Sequence, residues 1–153
     1  MSASAVVRQA TPDDLEPVAH LFDQYRQFYR RTSDLAAARA FIESRLQNGD
    51  SIIFVIQAEP AGALVGFTQL YPLFASLSIG RAFVLNDLFV SPVARGLGLG
   101  RHLLERAAEY GRDTGARYLE LSTETTNAAA QRLYEKLGWV RETSFYHYSL
   151  DLG

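Results

Sequence analysis

Residues 95–101 read Arg95-Gly96-Leu97-Gly98-Leu99-Gly100-Arg101. The fold follows from what stands on either side of them. Before the stretch runs an apolar, strand-like segment, residues 83–90; after it, residues 103–110 have helical spacing. A glycine-rich turn between strand and helix lets bare backbone approach a ligand closely, because glycine has no Cβ. The first amides of such a helix lack intrahelical partners and sit at the positive end of its dipole. Arg95 and Arg101 flank the turn and add charge-assisted donors. The stretch is therefore a candidate cradle for a phosphorylated cofactor, with a solvated turn as the plain alternative. It is not a Walker loop, since Arg101 and His102 stand where Lys and Ser/Thr are required. Read as a dinucleotide fingerprint, Gly96-x-Gly98-x-x-Arg101 lacks its third glycine.

Working outward, residues 6–9 suit a short first strand. Thr11-Pro12-Asp13-Asp14 signals a helix start, and Leu15, Val18, Ala19, Phe22, Tyr25 and Tyr29 then recur at helical spacing. Ser33 or Asp34 caps a second helix that Asn48-Gly49-Asp50 ends. Residues 51–58, 63–71 and 81–90 read as strands, with residues 72–80 as a loop. Gly115 ends the helix after the glycine turn, and residues 117–123 form another strand. Asn127 caps a helix closed by Gly138, and residues 139–150 read as a last strand. The order β-α-α-β-β-β-α-β-α-β predicts one α/β domain, residues 1–153, around a mixed sheet.

The 153 residues suit one such domain with a real core. The chain has no cysteine, which excludes disulfides, thiolate metal sites and a thiol nucleophile. Its three histidines, His20, His102 and His147, are too scattered for a zinc site. A net charge of −2 argues against general nucleic-acid binding. No apolar run reaches the ~20 residues of a membrane span, and residues 1–5 do not resemble a leader. The expectation is a cytoplasmic protein with no metal, no membrane and no nucleic-acid partner.

The element order and two motifs resemble the GNAT superfamily of acetyl-CoA-dependent N-acetyltransferases. The family's loop, Arg/Gln-x-x-Gly-x-Gly/Ala, is matched by Arg95, Gly98 and Gly100. Its second signature, Asn-x-x-Ala-x-x-x-Tyr-x-x-x-Gly-Phe/Trp, is matched by Asn127, Ala130, Tyr134, Gly138 and Trp139. Gly66-Phe67, Leu85-Asn86-Asp87-Leu88-Phe89-Val90 and Phe145-Tyr146-His147-Tyr148 resemble a narrower group, the spermidine/spermine and fungal histone/D-amino-acid acetyltransferases. That group's polyamine enzymes tend to carry a glutamate where Asn86 stands, so the resemblance stops short of a polycation pocket. The resemblance implies a sheet of about six to seven strands with about four helices, acetyl-CoA as cosubstrate, an amine substrate (small molecule or peptide) and a homodimer. The rival reading is a non-catalytic acyl-CoA-binding or sensing module on the same fold.

By resemblance, the backbone of Arg95, Gly96, Leu97, Gly98, Leu99, Gly100 and Arg101 holds a diphosphate. Leu88, Phe89 and Val90 pair with the pantetheine arm, and the Val90 amide faces the thioester oxygen. Asn127 bonds the cofactor arm, seven residues and so about two helical turns from Tyr134. Tyr134 is the candidate general acid, because a phenol with a free pKa near ~10 protonates a leaving thiolate without ionising at neutral pH. Asp87 and Glu124 are the candidate acids for removing the ammonium proton. Strand alternation keeps Asn86 and Asp87 on opposite faces unless a bulge intervenes. Tyr25, Phe28, Tyr29, Asp34 and Asn86 are candidate acceptor contacts, since aromatics with a carboxylate suit a cation. Packing is the competing role for one of the two tyrosines; His147, between Tyr146 and Tyr148, is either a base or a plain strand residue.

Overall fold

A computed structural model describes residues 5–153; residues 1–4, read above for a leader, lie outside the described residues. The first helix begins where its residues dictate. Asp14 accepts from the Thr11 amide (2.8 Å) and from both terminal guanidinium nitrogens of Arg8 (2.7 and 2.8 Å). That carboxylate, inside the short Pro12–Asp14 turn, launches α1 (Leu15–Phe28) and ties it to β1 (Val6–Gln9). Asp34 caps α2 (Leu35–Asn48) by accepting from the Ala37 amide, and Gly49 closes it in the left-handed region at φ 61°.

The chain falls into two compact units, residues 1–121 and 122–153. In the first, five strands lie in the order β1–β2–β3–β4–β5, where β2 is Ile52–Gln57, β3 Leu64–Ala75, β4 Gly80–Val90 and β5 Leu119–Glu120. The first four pair antiparallel and β4 pairs β5 in parallel, so the sheet is mixed as the element order predicts. Helix α3 (Leu99–Asp113) leads from the glycine turn to β5. One core cluster joins Val18, Leu21 and Ile42 of α1 and α2 to Ile53, Val55, Phe67 and Phe89 of the sheet. Tyr110 of α3 packs on Phe54 and Phe83, which lie across the sheet from that cluster.

Three expectations are corrected. The loop expected at residues 72–80 is a tight hairpin: Pro72, Leu73, Phe74 and Ala75 pair with Phe83, Ala82, Arg81 and Gly80. A proline fits there because β2 reaches only as far as Leu70, and among the described residues no strand flanks β3 on that side beyond it, so no N–H is needed. The strand expected at 117–123 is only Leu119–Glu120, paired with Phe83 and Val84. The second unit holds α4 (Ala128–Lys136), capped by the Asn127 side chain on the Ala130 amide (3.2 Å), but residues 139–153 form no strand. Phe145, Tyr146 and Tyr148 there are at least 80% exposed. Aromatic and β-branched residues suit a strand, but a strand also needs a ladder partner, and the described residues give this segment none. Among the described residues the sheet therefore has five strands rather than six to seven; four α-helices agree with expectation.

Candidate active site

The bulge that alternation required is present. Gln69 pairs with Asp87 and Leu70 with Leu85, so Asn86 is an extra residue with no ladder partner. Alternation alone would put Phe83, Leu85, Asp87 and Phe89 on one face. With the extra residue, Phe83 meets α3 while Phe89 joins the core beneath α1 and α2. The carbonyls freed at the bulge are met by side chains. Tyr25 Oη donates to the Asn86 carbonyl (3.2 Å), and Thr68 Oγ1 donates to the Asp87 carbonyl (2.8 Å).

Asp87 is buried at 4% exposure; Asn86 beside it is exposed. Its two carboxylate oxygens are held separately. Gln69 Nε2 donates to Oδ2 at 2.8 Å and Asn86 Nδ2 to Oδ1 at 3.2 Å. Asn86 and Asp87 side chains therefore meet, as a bulge allows. Gln69 is itself wholly buried; its Oε1 accepts from Ser51 Oγ at 2.8 Å, and its Nε2 also reaches Tyr71 Oη at 3.2 Å. Burial pushes the Asp87 carboxyl above the ordinary aspartate range, against the downward pull of Gln69, Tyr25 and Asn86. Tyr71 is pushed up to about 12 by burial and then by the Asp87 charge. Tyr25 is raised further, by burial first and then by Asp87, and stays a protonated donor. A buried carboxylate with weakened acidity, next to the exposed extra residue of the bulge, is fitted to accept a proton.

Aromatic rings pack around Tyr25. Tyr25 packs edge-on against Phe67, Phe89 and Tyr29, and Phe28 against Tyr29. Tyr25 thus packs and braces the bulge at once. Arg95 stacks over Phe28 (5.4 Å) and Phe89 (5.6 Å), while its Nε donates to the Val90 carbonyl (3.0 Å). Its side chain pins the loop to the end of β4. Asp34 stands apart, occupied by the α2 cap and by its own amide's bond to Asp23 (2.8 Å).

The loop itself is bare backbone. Gly96 and Gly98 take φ of 84° and 75°, a region that side chains other than glycine's rarely adopt. Gly98 is the N-cap of α3 and offers no side chain to the first-turn amides. A Cβ on Gly96 or Gly100 would meet nothing within 4 Å, so open space borders the loop. Arg101 turns along its own helix to Glu105 (3.4 Å). Leu88, Phe89 and Val90 lie beyond the two residues of β4 that β5 pairs, which frees that edge of the strand from β5. Positive-φ glycines, a helix start without a capping side chain and a strand edge free of β5 fit the diphosphate and amide-rich arm of an acyl-CoA.

In the second unit, Asn127 has its side chain on the Ala130 amide. The Glu124 carbonyl accepts from the Asn127 amide (3.0 Å) and Gln131 Nε2 (3.2 Å). The Tyr134 ring lies 6.2 Å from that of Trp139. His147 is exposed. Among the described residues no group of His, Asp and Glu is arranged to hold a metal, and no helix is long and apolar enough to cross a membrane. The sequence reading missed Ser51, Thr68, Gln69 and Tyr71. The available signal was Thr68-Gln69 inside an apolar strand, because buried polar groups need partners.

Comparison with known proteins agrees with this architecture. Residues 15–139 match the acetyltransferase (GNAT) family, a span that crosses both units. The chain is 48% identical over 146 residues to the uncharacterised N-acetyltransferase YhfO of Bacillus subtilis, covering 95% of this chain and 97% of that one. The crystal structure of a probable acetyltransferase is 38% identical, with a TM-score of 0.91, covering 97% of this chain and 98% of the other. The aminoglycoside N-acetyltransferase AAC(6')-Iy in complex with CoA shares the fold at a TM-score of 0.79 and 21% identity, over 95% and 94% of the two chains. With its glycine loop and element order matched by a family model spanning most of its length, the chain belongs to the GNAT family and is an acetyltransferase.

Proposed function

We propose that this enzyme uses acetyl-CoA to acetylate a primary amine by direct attack, within one catalytic domain formed by residues 1–153. The observation that carries the reading is Asp87: a buried carboxylate under the exposed Asn86 bulge, a few residues before a loop of bare amides. When bound, acetyl-CoA supplies an activated acetyl thioester. The amides of residues 95–101 hold its diphosphate, Leu88, Phe89 and Val90 its arm, and Asn127 adds a contact to that arm. Family membership and the CoA complex of the aminoglycoside enzyme support that cosubstrate.

An amine arrives as an ammonium, which Tyr25, Phe28 and Tyr29 attract through their ring faces. Asp87 takes its proton, with Glu124 as the second candidate acid. The freed lone pair can then attack. The Val90 amide donates to the developing oxyanion. As the C–S bond breaks, Tyr134 gives its proton to the departing thiolate and regains one from the attacking nitrogen, which carries an excess proton after attack; the match of Asn127, Ala130, Tyr134, Gly138 and Trp139 to the family's second signature supports this role. Asp34 adds a remote negative charge for the cation. Small amines, amino acids, polyamines and peptide lysines are the acceptor classes. Asn86, neutral where the polyamine subgroup tends to carry a glutamate, favours monoamines over long polycations. We place the enzyme in the cytoplasm as a homodimer.

Thiol release from acetyl-CoA, measured across a panel of amines with Tyr134→Phe beside wild type, tests the assignment. The variant should lose about 10²–10⁴-fold in kcat while keeping its affinity for CoA. Equal turnover removes Tyr134 from the mechanism. A folded wild type that neither binds CoA nor acetylates any amine overturns the whole reading.

A further inference from the structure

Gln69 sits at 0% exposure in the middle of the sheet, where an unbonded amide would be destabilising and a leucine would pack without that penalty. Its hydrogen bonds have one sense. The Asp87 carboxylate only accepts, so Gln69 must present its NH₂ group to Oδ2 (2.8 Å) and turn its carbonyl oxygen towards Ser51. Ser51 Oγ then has to donate, and it does so at 2.8 Å. The direction Ser51 to Gln69 to Asp87 is thus fixed by chemistry. It reaches the carboxylate from the β2 side of the sheet, away from the exposed Asn86.

We propose that Gln69, its amide orientation locked by Ser51, is a positioning residue that presents the Asp87 carboxylate to the acceptor's ammonium. This rests on the reading of Asp87 as proton acceptor. In the step concerned, one N–H bond of the ammonium breaks, its proton passes to the carboxylate, and the bonding pair stays on nitrogen as the attacking lone pair. Gln69 touches neither substrate nor proton; it holds Oδ2 and leaves Oδ1 towards Asn86. The groups facing Asp87 are Tyr25 of α1, braced by Tyr29, Tyr71 and Gln69 of β3, and Asn86 of β4. Arg45 of α2 and Asp50 act on Tyr71 with opposite signs.

The test compares wild type with Gln69→Leu, Ser51→Ala and Ser51→Thr by two readouts: the acid limb of kcat/KM for an amine substrate, and the pH midpoint of the Asp87 carboxyl ¹³C resonance. Losing a donor to the charged form raises Asp87 further. Both midpoints should therefore move up by about one pH unit in Gln69→Leu and by less in Ser51→Ala. Ser51→Thr, which keeps the hydroxyl, should restore wild-type values. A merely structural role would leave the acid limb of kcat/KM in place even where the ¹³C midpoint moves, and that result in folded variants overturns the proposal. If Gln69→Leu does not fold, the Ser51 pair decides on the same terms. If no amine is acetylated, the catalytic reading of Asp87 fails and the proposal fails with it, whereas an active enzyme with an unmoved acid limb defeats this proposal alone.

Discussion

Asp87 and the loop at residues 95–101 lie on one continuous stretch of chain, yet they work through different parts of it. At Asp87 the chemistry is side-chain chemistry. A carboxylate is held by Gln69 and Asn86, and the surrounding carbonyls by Tyr25 and Thr68. At the loop it is backbone chemistry: glycines at positive φ, a helix start without a capping side chain, and an Arg95 whose guanidinium is already engaged with Val90 and two rings. The contrast teaches where each kind of substitution should act. Replacements around Asp87 should change turnover and its pH dependence, whereas at the loop only changes of backbone conformation should matter much.

The sharpest break would come at Asp87→Asn. We expect kcat to fall by about 10²–10⁴-fold with CoA affinity unchanged. Stability gives the control. Burial raises Asp87, so the folded state loses stability as pH rises from the ordinary aspartate range through the folded value. Removing the charge abolishes that loss, and thermal melts at pH 8 should show the variant no less stable than wild type. A large drop in midpoint would make Asp87 structural.

Gly98→Val tests the other side. Forcing a β-branched residue to a φ of 75° costs about 1–2 kcal/mol, so CoA should bind about tenfold or more weakly by calorimetry. An unchanged affinity would show that the loop does not hold the diphosphate. Arg95→Ala should fall between, weakening CoA about three- to tenfold, because it frees the loop from Val90, Phe28 and Phe89 without altering the amides. The smallest effect on catalysis should come from Arg8→Ala. That pair holds Asp14 below the ordinary range, so its contribution is present above that range and is lost as pH falls through the folded value. With Arg8 partly exposed, the variant should melt about 2–4 °C lower at neutral pH, converge with wild type in acid and keep its pH–rate profile.

What the sequence made legible was local. Pro12 at a helix start, Asp34 and Asn127 as caps, and glycines at Gly96 and Gly98 each act within a few residues, and the structure has them there. What stayed hidden was relational. The bulge at Asn86 exists only against the register of β3, so alternation within β4 could state the condition for it but not meet it. Pro72 reads as a loop until the end of β2 is known to leave that side of β3 without a neighbouring strand among the described residues. Gln69 and Ser51 are eighteen residues apart and meet only because β2 pairs β3. Residues 139–150 read as a strand from their composition, but composition cannot supply the ladder partner a strand needs.

The unpaired residue in β4 has one consequence for the length of the chain. Leu85 and Asp87 already sit opposite Leu70 and Gln69, which are neighbours in β3. A single-residue deletion at Asn86 would therefore join two correctly facing halves into an unbroken ladder, leaving the packing on both sides of the sheet where it was. It is the one excision in this strand that removes an irregularity instead of scrambling inside and outside, and it separates what the kink contributes from what the residues around it contribute.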